Sequence, residues 1–135
     1  MARRLAASGA IDLVVVDSAA ALVPRIELEA GMAVGVASLQ SRVLGSELRR
    51  LASVVRRSGV AILFLNQTRT RLEGSAGELE TSAGGPSLKL YAAVRIVLAA
   101  SGRTVRFRVL KNELAAPFAI GELQWRPASG FVEGP

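Results

Sequence analysis

Two short apolar runs punctuate the first half of the chain, Ile11–Val16, mostly apolar and rich in β-branched residues, and Val60–Leu65, continuously apolar. Neither shows sustained polar alternation, the pattern of parallel strands buried on both faces. Between them Leu44, Leu48, Leu51 and Val55 recur at helical spacing. That stripe predicts a helix over about Val36–Arg57 with its apolar side against a core. Ser58-Gly59 supplies a stop, with Gly59 suited to a left-handed cap. A helix between two buried strands is the connection that parallel pairing requires. The expected class is therefore α/β.

The rest of the chain reads differently. Residues 2–8 look like the end of a helix stopped by Gly9, and Pro24–Gly35 reads as an irregular loop. Residues 68–87 mix Arg, Glu, Ser and Thr with Gly74, Gly77, Gly84 and Gly85, which predicts a long, mobile loop. From Ser87 a short helical stretch leads into a strand over Ala92–Ala100, and Ser101-Gly102-Arg103 forms a turn. Thr104–Leu110 then alternates outward Arg106 and Arg108 with inward Val105, Phe107 and Val109, a hairpin strand with one solvated face. Phe118–Arg126 offers a third antiparallel strand, and Pro127–Pro135 is turn-rich. At 135 residues, the chain is expected to be a single domain or part of one.

Candidate chemistry sits where the apolar runs end. Asp17-Ser18 follows the first and Asn66-Gln67 the second. Open α/β sheets bind ligands beyond the carboxyl ends of their strands. A carboxylate there commonly reaches a phosphate-bound magnesium ion. The plainer alternative is that Asp17 caps the segment after it, and this signal alone leaves both open.

Composition narrows the field. The chain has no cysteine and no histidine, which excludes disulfides, a histidine-based triad and the usual zinc sites. No apolar run approaches the roughly 20 residues needed to span a bilayer, and no signal-peptide core follows Arg3-Arg4. The net charge is +6, from 17 basic and 11 acidic side chains, and arginine supplies 15 of the 17. Arginine favours planar contacts to phosphate. The excess lies in the first half, including Arg42, Arg49 and Arg56 spaced by seven, and Arg50 with Arg57. A basic helix face fits an anionic partner such as nucleic acid, or else is simply a solvated face.

In order, the segments resemble the bacterial RecA recombinase family. The phrases that carry the resemblance are Val15-Val16-Asp17-Ser18 with Ala20-Ala21-Leu22, Leu39-Gln40-Ser41-Arg42, and Phe64-Leu65-Asn66-Gln67-Thr68-Arg69. Glu80-Thr81 with Gly84-Gly85, Leu88-Lys89 with Tyr91-Ala92, and Lys111-Asn112 with Ala115-Ala116-Pro117-Phe118 follow. They cover about residues 5–130.

The resemblance implies one partial domain over residues 1–135, the second half of a RecA-like P-loop NTPase core. In it, parallel strands flanked by helices precede an antiparallel hairpin or meander. It implies Asp17 as a carboxylate acting on magnesium through water, with Ser18 beside it, and Gln67 as the glutamine that senses the γ-phosphate of ATP. Pro24–Gly35 and Arg69–Gly84 resemble the two DNA-binding loops. Arg42, Arg49, Arg69, Arg71, Gly84 and Gly85 match positions near the DNA strand, and Lys111 matches a lysine presented to the ATP of a neighbouring protomer. The implied setting is cytoplasmic DNA repair and recombination, within the SOS response. ATP and Mg2+ are the cofactors of the complete family protein, single-stranded DNA and a self-associated filament its partners, and no membrane is involved.

The departures are as informative. No Gly-Lys dipeptide occurs, so the family's phosphate-binding loop is missing, and the catalytic glutamate that also lies upstream is missing with it. Tight ATP binding by this chain alone is not expected. Where the family has a second basic residue two after the lysine, Glu113 stands, and Ala33-Val34-Gly35-Val36 replaces the usual first-loop sequence. The expected function is ATP-dependent single-stranded DNA binding and strand exchange in the full-length protein. The alternative is a degenerate, non-catalytic paralogue serving as a scaffold in DNA repair. A sheet lacking its upstream strand also predicts self-association through the uncovered edge and apolar faces.

Overall fold

Strands β1 (Leu13–Val16) and β2 (Ala61–Phe64) pair in parallel, with Leu13 opposite Ala61 and Val16 opposite Phe64. The crossover between them contains helix α2 (Val36–Ser58), as the leucine stripe predicts, and helix α1 (Ala2–Ala7) precedes β1. The structure, a computed structural model, describes residues 1–25, 36–72, 78–82 and 85–134. The chain divides into two compact units, Met1–Tyr91 and Ala92–Pro135.

In the first unit the core has two lobes. Ala6, Val14 and Val60 are buried with Ile11, Val16 and Val54 against them. Leu44, Leu48 and Leu51 form the second lobe, with Val55, Phe64 and Leu88 packed onto it. Ala2 and Ile62 touch both, so α1, α2 and one face of the β1–β2 pair share a continuous apolar contact. After α2, Gly59 adopts φ +69° and donates its N–H to the Val55 carbonyl at 3.2 Å, which closes the last turn.

The expectation of strands buried on both faces is corrected. Leu13, Val15, Leu63 and Leu65 remain 42–54% exposed. In the pleat they alternate with the helix-covered residues Val14, Val16, Ile62 and Phe64. Only one face of this pair is sheltered by α1 and α2.

The long loop expected over residues 68–87 is also corrected. Strands β3 (Thr68–Leu72) and β4 (Glu78–Ser82) form an antiparallel pair, with Thr70 opposite Glu80. The β-branched residues Thr68, Thr70 and Thr81 suit strands. The glycine-based expectation rested partly on Gly74 and Gly77, which fall between the two strands and lie outside the described residues. Residues 26–35 of the Pro24–Gly35 loop also lie outside them, as does Gly84. Helix α3 (Ser87–Tyr91) closes the first unit.

The second unit is a four-stranded antiparallel meander. Its strands are β5 (Val94–Ser101), β6 (Thr104–Asn112), β7 (Ile120–Arg126) and β8 (Gly130–Glu133), in that spatial order. The hairpin and the third strand match expectation, but the turn-rich tail is corrected. Its turn is followed by β8, where Phe131 stands opposite Trp125 with ring centroids 5.0 Å apart. One face carries Leu98, Val105, Phe107, Val109, Leu123 and Trp125; the other carries Arg106 and Arg108. A register shift between Arg95 and Ile96 sets Lys111 opposite Arg95. Without that bulge, strict alternation would put Lys111 on the apolar face of Val109.

Candidate functional site

Where β1 and β2 end, their chains stay hydrogen-bonded. The Leu65 amide donates to the Val16 carbonyl and the Ala19 amide donates to the Leu65 carbonyl, each at 2.9 Å. Both bonds use Leu65, so they bracket Asp17-Ser18, and Asn66-Gln67 follow directly after Leu65. Asp17-Ser18 and Asn66-Gln67 both therefore lie at the carboxyl edge of the parallel pair. Asp17 and Gln67 are exposed; Ser18 and Asn66 are half-buried. The Asp17–Ser18 peptide bond is cis.

The structure separates the two readings of Asp17. The residue that caps the following single 3-10 turn, Ala19–Ala21, is Ser18, and no side chain supplies a capping bond. Among the described residues Asp17 has no hydrogen bond or ion pair. Its carboxylate is available to a ligand.

The donor set is hard oxygen: one carboxylate, a hydroxyl and two amide carbonyls. Magnesium is commonly held by one or two carboxylates together with substrate phosphates and water. Among the described residues no group of three Asp, Glu, His or Cys side chains gathers for a metal. These residues fit an ion that arrives with a phosphate ligand.

A second surface runs along α2. Segment 85–91 lies against one of its faces at four-residue steps. A Cβ added to Gly85 would collide with Ser41 Oγ, and one added to Gly45 would lie 2.7 Å from Ser87 Oγ. Arg49 Nε donates to the Tyr91 hydroxyl at 3.4 Å. Glycine at position 45 lets the chains approach, while Gly85 adds a positive φ of +79°. The hydrogen bond from Arg49 to Tyr91 and the attraction between them hold the Arg49 guanidinium above its ordinary range.

Arg42, Arg49 and Arg56 are all exposed and two turns apart, ~10 Å per step along the axis. Arg50 pairs with Glu47 at 2.9 Å and Arg57 donates to Ser53 Oγ at 2.7 Å. Among the described residues neither Arg42 nor Arg56 has an ion pair. The structure brings Arg42, Arg49 and Gly85 to this α2 surface. Arg69 and Arg71 are on β3, opposite Thr81 and Leu79.

Lys111 belongs to the second unit. Its Nζ lies 2.7 Å from Glu113 Oε1. Asn112 Oδ1 accepts from the amides of Leu114 and Ala115 at 3.0 and 3.1 Å, and the Glu113 amide donates to the Ala93 carbonyl at 2.9 Å. The backbone around Glu113 is thereby fixed.

Sequence reasoning missed three contributors. Gly45 and Tyr91 take part in the α2–α3 contact, and the bulge in the β5–β6 ladder re-aims Lys111. A glycine in the middle of a strong helix signals the first; nothing in the local pattern signals the bulge.

A family profile described as the RecA N-terminal domain matches residues 1–131. The chain belongs to the RecA family. Protein RecA of Thermus thermophilus is 43% identical to it over 131 residues, which is 89% of this chain and 38% of that protein. Protein RecA of Deinococcus radiodurans is 40% identical over 138 residues, 94% of this chain and 38% of that protein. Protein RecA 1 of Myxococcus xanthus is 41% identical over 137 residues, 94% of this chain and 40% of that protein. The chain spans about two fifths of the length of these RecA relatives.

Proposed function

We propose that this chain is the part of a RecA-type recombination and DNA-repair ATPase that senses nucleotide and contacts DNA. The observation that carries this reading is the juxtaposition of Asp17 and Gln67 at the carboxyl edge of two parallel strands. In it Asp17 holds the magnesium of a bound ATP through water, with Ser18 alongside. Gln67 reports the γ-phosphate to β3, which begins at the next residue. A glutamine suits that role, since its amide both donates to a phosphate oxygen and accepts from water. ATP supplies the phosphoryl group, and with no Gly-Lys dipeptide these residues do not themselves provide a phosphate-binding loop of that kind.

Single-stranded DNA runs along the basic face of α2 and the β3–β4 hairpin. Arg42, Arg49, Arg69 and Arg71 meet its phosphates, and Gly84 and Gly85 let the backbone come close. Lys111 meets the phosphates of ATP on a neighbouring copy, where a cation offsets charge developing in phosphoryl transfer. The domain is a partial RecA-like P-loop core acting in the cytoplasm within a filament.

Fluorescence anisotropy of labelled single-stranded DNA across a salt series tests the DNA contact. The chain is expected to bind with affinity that falls steeply as salt rises, and the Arg69→Ala, Arg71→Ala double variant should show a shallower slope. Equal slopes would remove these two arginines from the interface.

A second reading, a non-catalytic RecA-like scaffold in DNA repair, is favoured by one observation. The lysine meant for a neighbour's phosphates is already engaged by Glu113. Absence of DNA binding even at low salt would favour the scaffold.

A further inference from the structure

Resting on the reading of Lys111 as a phosphate contact, we propose that Glu113 is a built-in counter-anion that competes with phosphate for Lys111. Three observations support this. The carboxylate Oε1 sits 2.7 Å from Lys111 Nζ, the distance at which a phosphate oxygen would bind. Its backbone is fixed from both sides, by the Glu113 amide bond to Ala93 and by the Asn112 side chain bridging to Leu114 and Ala115. Arg95 stands directly across the ladder from Lys111.

Like charges in directly opposed positions repel. An anion beside Lys111 relieves that repulsion, and Glu113 provides one from within the chain. The same pair of cations is an attractive seat for a multiply charged phosphate ligand. The ammonium has three N–H donors, so the competition is electrostatic: the Glu113 carboxylate beside Nζ repels a phosphate brought to the same cation. The lysine is 31% exposed and the glutamate 59%, so the pair is open to solvent and exchangeable, not locked. A phosphate chain presented by a partner therefore displaces Glu113 at a cost, and the pair sets a threshold for engagement.

Titration of the full chain with inorganic pyrophosphate by calorimetry tests this, comparing wild type, E113Q, K111M and the E113Q/K111M double variant. Glutamine keeps the size and the backbone bond to Ala93 while removing the charge. E113S is a second neutral variant, should E113Q melt at a different temperature. Pyrophosphate is expected to bind E113Q roughly three- to tenfold more tightly than wild type, the range for losing one adjacent charge near a surface. The double variant should fall back to the K111M level. If the neutral variants bind like wild type while K111M weakens both backgrounds, the competition is overturned and Lys111 stands as a phosphate contact. If K111M changes nothing in either background, or no variant binds, the role of Lys111 is overturned along with it.

Discussion

The Leu65 amide donates to the Val16 carbonyl at 2.9 Å, which carries the pairing of β2 with β1 one residue past the last strand residue, Phe64. The two residues that follow it on each chain are polar: Asp17 and Ser18 after Val16, Asn66 and Gln67 after Leu65. Parallel pairing in this register brings two polar pairs some fifty residues apart in sequence to the same edge of the sheet.

Manganese, which takes magnesium's place at hard oxygen ligands, offers a direct probe of that site. Added with ATP to isotope-labelled chain, it should broaden the amide signals of Ser18 and Gln67 ahead of those in the second unit. Asp17→Asn should abolish the effect without lowering the melting temperature, since the carboxylate is exposed and takes no part in the cap. Broadening that survives the substitution would remove Asp17 from the ion.

The basic face of α2 predicts a measurable electrostatic footprint. Replacing Arg42 and Arg49 with alanine should reduce the log–log salt slope of single-stranded DNA binding by about 1.4, at about 0.7 per phosphate lost. Arg50→Ala should matter less, because Arg50 is already paired with Glu47. Equal losses from all three would indicate a diffuse charge effect.

The core of the first unit rests on α2. Leu48 is 5% exposed, and Leu48→Ala removes its side chain from the cluster with Leu44 and Leu51. Chemical denaturation should register a loss of about 2–5 kcal/mol. A loss below about 1 kcal/mol would mean that neighbouring side chains collapse into the gap.

The contact between α2 and α3 depends on close approach at Gly45. Gly45→Val puts a branched side chain where even a Cβ comes within 2.7 Å of Ser87 Oγ. The expected outcome is displacement of segment 85–91, read as loss of Tyr91 side-chain order in NMR spectra, and weaker DNA binding despite intact arginines. Unchanged DNA affinity would uncouple Gly85 from the interface.

Much of this was legible in the sequence, because strong periodicity survives tertiary context. The stripe Leu44, Leu48, Leu51 and Val55 located α2, and alternation from Val105 to Val109 located β6. The position of Asp17 and Gln67 past the ends of β1 and β2 was legible because polar pairs ending apolar runs stand out. The β3–β4 hairpin was not, since Gly74 and Gly77 weigh toward loop while the pairing that makes Thr68–Leu72 a strand is non-local. Lys111 belongs with the arginines for a similar reason. Strict alternation continued past Leu110 would place it with Val109, and the register shift between Arg95 and Ile96 overrides that period. The half-exposed face of β1 was misread because a parallel strand's apolar run announces two covered faces without saying which chain covers them.

That face yields the last prediction. Val15 stands opposite Leu63, and both are about half exposed, as are Leu13 and Leu65. Four large aliphatic side chains on one side of a two-stranded pair form a patch that water solvates poorly, and the pair's strand edges offer unpaired backbone groups. At high concentration the chain should self-associate through it, giving a mass by light scattering above that of the 14.2 kDa monomer. Val15→Lys with Leu63→Glu should return the monomer. The substituted side chains point away from Ala6, Val14 and Val60, so the melting temperature should hold. Assembly that persists in the double variant would place the contact on another surface.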